Sequence, residues 1–135
     1  MIININDMRS IADIQDKFSS FFPFLKIEFY THPHHWYEES ETKSVLPTEK
    51  FLGDIRHLHQ QGDLEFYSWF KTGELEQVFR KKFNLNVQVF RLEGSNWIQT
   101  IDSDKMTLKE QNEIGRARTV ENKPLMDPPV NNNIY

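Results

Sequence analysis

The chain contains no cysteine among its 135 residues. This absence excludes disulfide bonds, thiolate zinc sites, iron–sulfur clusters and a thiol nucleophile, and it favours a reducing compartment. Residues 1–7 carry neither a basic leader nor an apolar run long enough for a signal peptide, and no apolar stretch reaches membrane-spanning length. We therefore expect a soluble cytoplasmic protein with no membrane segment.

Glycine is also scarce, and the 16 basic residues are outnumbered by 20 acidic ones. None of the five glycines stands in a glycine-rich phosphate loop, and no serine has the context of a nucleophile elbow, so covalent catalysis has no visible candidate. The net charge of −4 does not favour polyanionic partners. One local exception, Lys71 with Arg80, Lys81 and Lys82, forms either the solvated face of a helix or a weak nucleic-acid surface.

Aromatic side chains are what the chain has in abundance. Eleven phenylalanines, three tryptophans and four tyrosines supply large apolar area, and 135 residues suit one domain. The sequence thus predicts a single domain with an aromatic core.

The first half of the chain alternates between strand and helix patterns. Residues 2–5 form a short strand, Ser10 caps a helix that ends before Pro23, and residues 25–30 alternate like a half-buried strand. A return strand is expected near residues 43–46, followed by a helix from about Thr48 that Gly62 ends.

The second half gives the same order. A strand follows from Leu64, a helix capped by Thr72 ends at Asn84, and a new strand starts at Leu85. A turn at residues 93–96 leads into a strand at residues 97–101. Thr107 and Glu110 form a capping box for a helix that is expected to end at Gly115.

The two halves align with each other. The stretch with Phe18 and Phe22 matches the stretch with Phe79 and Phe83 without a gap, and Leu52 matches Leu108. This predicts an α+β fold from a duplicated strand-helix-strand-strand-helix unit, forming one mixed sheet with the helices packed on one face. The units are residues 1–62 and 63–115 of a single domain, and 116–135 form a flexible tail. Alternatively, two unrelated amphipathic segments share an apolar spacing.

Several segments resemble a family of short uncharacterised bacterial proteins of the type common in Bacteroidetes. The residues that carry the resemblance are 22–29, 51–56, 84–91, 97–100 and 107–112. It implies a bacterial origin and a coherent small domain with no known activity. It transfers no catalytic or binding residues.

A histidine-rich segment is the candidate metal site. Alternate residues of an extended segment point the same way, so His32 and His34 can share an ion, with His35 and Glu38 as further ligands. His57 and His59 are two apart on the predicted helix and point to different sides. The alternative interpretation is a set of solvent-exposed loop histidines, because the spacing supplies no clear third ligand.

A group of carboxylates precedes the last helix. Asp102, Asp104 and Glu110 include the paired groups that general acid–base catalysis needs, but spacing alone does not show that they converge. A polar connection followed by a helix cap accounts for the same residues.

Aromatic residues outside the core pattern favour a binding function. Exposed aromatic rings are enriched in binding hot spots, and the candidates here are Trp36, Tyr37, Tyr67 and Trp69. The leading hypothesis is a non-enzymatic interaction module, able to self-associate, that needs no cofactor. The alternatives are a metal-binding protein or metal-dependent enzyme using His32 to Glu38, and burial of these rings in the core.

Overall fold

The fold is α+β. The computed structural model describes residues 1–31, 45–100 and 103–121, with only the backbone described at residue 121. In chain order the elements are β1 (Ile2–Ile5), α1 (Ile11–Phe21), β2 (Leu25–Tyr30), a 3-10 turn (Leu52–Asp54), β3 (Gly62–Glu65), α2 (Thr72–Phe83), β4 (Asn86–Glu93), β5 (Asn96–Gln99), α3 (Leu108–Arg116) and a π-helical turn (Ala117–Glu121).

The strands form two antiparallel sheets, so the predicted single mixed sheet is wrong. β1 pairs with β3, placing Ile3 opposite Leu64, and β2 pairs with β4, placing Ile27 opposite Val89. β5 adds to the other edge of β4. The prediction assumed that the two strands flanking each helix share a sheet, in which case a parallel crossover follows. Here the two strands that flank each helix lie in different sheets. β1 and β2 of the first half each pair with a strand of the second half, namely β3 and β4.

The core is built from the predicted apolar stripes. Phe18 of α1 and Phe79 of α2 are both fully buried. The Phe18 ring lies 6.1 Å from that of Phe66, and Phe79 meets Phe29 edge to face at 6.0 Å. Alternate residues of β2 complete the buried layer, which confirms the predicted strand period there.

The helix predicted from Thr48 to Gly62 is wrong. Only a 3-10 turn forms, and the chain then crosses to the C-terminal end of α2. There Arg56 Nη1 donates to the carbonyl oxygens of Gln60 and Phe83, both at 2.8 Å. The Asn84 side chain accepts the N–H groups of His57 and Leu58. Tertiary contacts thus take up the backbone groups that a helix would have used.

Gly115 does not end the last helix as predicted. α3 continues through it to Arg116. Glycine is suited to this position for a different reason, because a methyl group there would lie 2.9 Å from the Leu92 carbonyl oxygen and 3.0 Å from Phe24 Cβ. The chain stays helical to residue 121, and Thr119 Oγ1 donates to the Leu92 carbonyl oxygen at 3.3 Å. The rest of the predicted tail, 122–135, lies outside the described residues.

Most predicted turns and caps are confirmed. Ser10 and Thr107 each begin a helix with a complete capping box, and Asn84 ends α2 with φ of 56°. Gly94, with φ of 68°, sits in the two-residue β4–β5 turn. At the start of α2 the prediction misses by one residue, because Lys71 is the N-cap and its N–H donates to Glu74 Oε1.

Candidate binding surface

The outer face of the two-stranded sheet carries polar and aromatic side chains. Leu64 and Phe66 point into the core, so the alternate residues Asp63 and Glu65 face outward. Tyr67 extends the same side, because its hydroxyl donates to Glu65 Oε2 at 2.8 Å. From β1, half-exposed Ile2 lies opposite Glu65.

Tyr67 and Trp69 form a parallel stack on this face. Their ring centroids are 4.5 Å apart and their planes differ by 9°. The stack exists because a turn follows the strand: the Phe70 N–H donates to the Tyr67 carbonyl oxygen at 3.0 Å, which folds Trp69 back over Tyr67. Trp69 remains 65% exposed, so one of the largest apolar side chains of the protein stays in water.

Two carboxylates, those of Asp63 and Glu65, lie on the same face as this stack, and the N-terminal ammonium of Met1 donates to the Phe66 carbonyl oxygen at 2.9 Å. The hydrogen bond to Glu65 and the charge of that carboxylate raise the pKa of the Tyr67 hydroxyl. Asp63 Oδ1 accepts a hydrogen bond from the Asn4 amide at 3.0 Å. Among residues 1–31, 45–100 and 103–121, no lysine, arginine or histidine forms an ion pair with Asp63 or Glu65.

Trp97 is a second exposed tryptophan with different surroundings. Lys26 Nζ lies 4.9 Å from its ring centroid and 5.4 Å from that of Phe90. Glu28 Oε2 pairs with the same ammonium at 3.0 Å. A groove of about 390 Å³ runs beside these residues along β2 and α1, and its polar wall includes Gln15. The aromatic ring, the carboxylate and the cation here all belong to one chain.

The structure brings together only part of the predicted binding set. Tyr67 and Trp69 are in contact. Six other candidate residues lie outside the described part of the chain: Trp36, Tyr37, His32, His34, His35 and Glu38. Within the described part, no group of three or more His, Asp or Glu side chains is placed to hold a metal ion.

The carboxylates before α3 do not form an acid–base pair within the described residues. Glu110 is exposed and accepts the Thr107 N–H at 2.8 Å. Hydrogen bonds with the backbone and then the side chain of Thr107 lower the pKa of the Glu110 carboxyl. Asp104 is buried instead, and its carbonyl oxygen accepts the Gly73 N–H. Asp102 lies outside the described residues. Glu110 therefore has the predicted capping role.

The basic cluster is split between the two ends of α2. Lys71 precedes the helix, whereas Arg80, Lys81 and Lys82 occupy its last turn. A helix of 12 residues is about 18 Å long. The basic side chains of the last turn complement the negative end of the helix dipole, which accounts for their position.

Sequence reasoning missed a polar network centred on Arg56. Its buried guanidinium contacts Asp7 Oδ1 at 2.8 Å through Nη2, and His59 Nδ1 lies 2.9 Å from Asp7 Oδ2. The hydrogen bond from Arg56, with a further one from His59, lowers the pKa of Asp7. Asp7 stands in a break between strand and helix, and no spacing rule links it to residues about fifty positions away. The network fixes the loop before β3.

Comparison with known proteins gives no assignment. No protein-family model matches the chain, and neither the curated proteins nor the solved structures give a match. Among the described helices, none combines the length and the apolar character needed to cross a membrane.

Proposed function

We propose that this protein is a non-enzymatic binding module whose interaction surface is the stack of Tyr67 and Trp69 with the neighbouring Glu65. The single observation that carries the proposal is the exposure of Trp69, 65%, in a side chain already held in one orientation by its stacking partner. Large aromatic rings gain much contact area for little loss of conformational freedom, so they dominate binding hot spots.

The surroundings of the stack support this assignment. Tyr67 is anchored at both ends, since its hydroxyl bonds to Glu65 and its ring also meets Phe70 at 5.8 Å. A surface that is ordered before binding loses less entropy when a partner docks. Half-exposed Ile2, opposite Glu65, adds apolar area beside the stack. The partner is another protein or a second copy of this chain, and the absence of cysteine favours a cytoplasmic setting.

We also propose that the fold is a duplicated unit, residues 1–62 and 63–115. Several paired bonds support this. Ile11 donates to the Lys50 carbonyl oxygen and Thr72 donates to that of Met106, each at 2.9 Å. Isolated bridges join Ser10 to Phe51 and Lys71 to Thr107. The gapless alignment does not extend into the strands, because at its spacing of 61 the buried Leu25 and Phe29 match the partly buried Asn86 and Phe90.

Substitution of the exposed rings tests the interaction surface. We expect Trp69→Ala to abolish partner capture, or concentration-dependent self-association measured by sedimentation equilibrium. The same variant should lower the free energy of unfolding by only about 0.5–1.5 kcal/mol, the loss of one exposed aromatic stack. Trp97→Ala is the matched control, since Trp97 is also exposed but already covered by Lys26.

Two results would contradict the proposal. The first is a large loss of stability in Trp69→Ala or Tyr67→Ala with molecular mass and partner capture unchanged, which would make the rings structural. The second is an equal loss of binding in Trp97→Ala, which would place the surface elsewhere.

A further inference from the structure

The two exposed tryptophans of the described structure differ in one respect. Trp97 has a cation above its ring, whereas no described lysine or arginine lies over Trp69 or Tyr67. Resting on the proposed function, we propose that the Tyr67–Trp69 surface binds an arginine side chain presented by a basic segment of a partner protein. Trp69 supplies the ring face, and Glu65 supplies the countercharge.

The Trp97 site shows how this protein holds a cation against aromatic rings. Lys26 Nζ lies within 5.4 Å of two ring centroids, Phe90 and Trp97, and 3.0 Å from the Glu28 carboxylate. A cation over an aromatic face is attracted by the negative face of the ring, and the adjacent carboxylate adds a direct charge interaction. Three kinds of group therefore complete this arrangement: ring, carboxylate and cation.

The Tyr67–Trp69 surface has two of these three groups. The ring face is open, because Trp69 is 65% exposed. The carboxylate is present, because Glu65 is exposed and its Oε2 is fixed by the Tyr67 hydroxyl, leaving Oε1 for another donor. Asp63, two residues earlier on the same face of β3, adds a second negative charge. Neither carboxylate has a cationic partner among the described residues.

Charge decides the class of partner. An acidic segment would meet Asp63 and Glu65 with like charge, and a purely apolar segment would cover these carboxylates without pairing them, which is unfavourable. An arginine avoids both penalties. Its planar guanidinium stacks on a ring while its N–H groups reach a carboxylate at the edge, which a lysine ammonium does less well.

A short peptide pair tests the proposal directly. The probe is a blocked tripeptide with arginine between two glycines, and the matched control replaces arginine by citrulline, which keeps the shape and removes the charge. The readout is the indole N–H signal of Trp69 in the NMR spectrum of the full chain, assigned by its loss in Trp69→Phe. We expect the arginine peptide to shift this signal saturably and the citrulline peptide to bind about three- to tenfold more weakly.

Variants then separate the contribution of the Glu65 charge to peptide binding from that of the Trp69 ring. Glu65→Gln should weaken the arginine peptide severalfold and remove most of its salt dependence, because the charge interaction is screened. Trp69→Ala, followed through the signal of Tyr67, should weaken it as well. Trp97→Phe should leave its affinity unchanged. A lysine peptide and a quaternary ammonium salt serve as further arms, which separate guanidinium stacking from recognition of any cation.

Equal binding of the arginine and citrulline peptides would overturn the inference, as would tighter binding of the lysine peptide or the ammonium salt. So would an affinity that Glu65→Gln leaves unchanged. These failures are distinct from failure of the proposed function. If Trp69→Ala abolishes partner capture while no cation preference is found, the surface is a binding site of another chemistry.

Discussion

The region up to residue 61 and the region from residue 62 each contain a buried leucine, Leu52 and Leu108, whose backbone N–H makes a similar hydrogen bond. The Leu52 N–H donates to the Arg9 carbonyl oxygen, and the Leu108 N–H donates to that of Phe70, each at 2.9 Å. Both leucines are fully buried. Yet Leu52 begins a 3-10 turn of three residues, whereas Leu108 begins a helix of nine.

The difference lies in the residues around the leucine. Thr107 and Glu110 form a full capping box, which satisfies free N–H groups in the first turn of α3. Phe51, the residue before Leu52, has no side chain able to cap, and Arg56 then joins Asp7 and the end of α2 instead of continuing a helix. The buried leucine determines where the chain packs against the core, and the polar residues beside it determine whether a helix or a short turn forms there.

A second contrast concerns one polar position on each long helix. Gln15 Nε2 donates to the Ile27 carbonyl oxygen, and Glu76 Oε2 accepts the Val89 N–H, both at 2.9 Å. Ile27 and Val89 face each other across β2 and β4. The same task, supplying a side-chain partner to a strand backbone group, is thus met by a donor in one half and by an acceptor in the other.

The strongest test of the comparison is in the core. If Phe18 and Phe79 occupy corresponding places, Phe18→Ala and Phe79→Ala should each lower the free energy of unfolding by about 3–5 kcal/mol, because both leave a large cavity. Urea denaturation measures both. A loss below about 1 kcal/mol in one of them, far from the range for buried aromatics, would break the correspondence.

The Arg56 network should matter in the first region alone. Arg56→Ala should lower stability by about 2–4 kcal/mol, since it removes the buried partner of Asp7 and of two carbonyl oxygens. Arg118→Ala is the control, because Arg118 is half exposed and pairs with Glu93 at the surface, where a pair contributes about 1 kcal/mol or less. Equal effects in thermal unfolding would show that the loop before β3 is not held by Arg56.

In the second region, a further prediction concerns Gly115, where α3 lies close to the Leu92 carbonyl oxygen of β4. Ala favours a helix by about 1 kcal/mol over Gly, but the contact with the Leu92 carbonyl oxygen should outweigh this gain, for a net loss of about 1–2 kcal/mol. Lys109→Ala, at an exposed position of α3, should change stability little. A stabilised Gly115→Ala variant would mean that α3 can move away from β4.

The smallest expected effect is a pH dependence in the first region. Because Arg56 lowers the pKa of Asp7 in the folded protein, the interaction contributes stability above the ordinary aspartate pKa, near 3.8, and is lost as pH falls through the lower folded value. Asp7→Asn should therefore be less stable than the unsubstituted protein at neutral pH, with the difference shrinking in acid. Denaturant titrations at several pH values measure this, with the exposed Asp16→Asn as control. A constant difference would contradict it.

Local signals were read correctly where the chemistry is local. The caps at Ser10 and Thr107, the left-handed Asn84 and the turn at Gly94 follow from residue type and spacing. Tyr67 and Trp69 were predicted as a candidate surface from alternation along a strand, but β3 ends at Glu65 and the turn that follows brings the two rings into a stack. Its carboxylate partner, Glu65, was missed because a hydrogen bond between alternate residues leaves no hydrophobic signature.

The sequence by itself determined α1, α2, the start of α3 and the buried faces of β2 and β4, because period and capping depend on neighbours a few residues apart. Only the tertiary structure decided that the strands of the two halves pair antiparallel in two sheets, and that the chain around Arg56 forms a loop bonded to the end of α2 instead of a helix. Strand pairing and buried ion pairs depend on contacts between residues tens of positions apart. Their free energies leave no pattern among residues that are neighbours in the sequence.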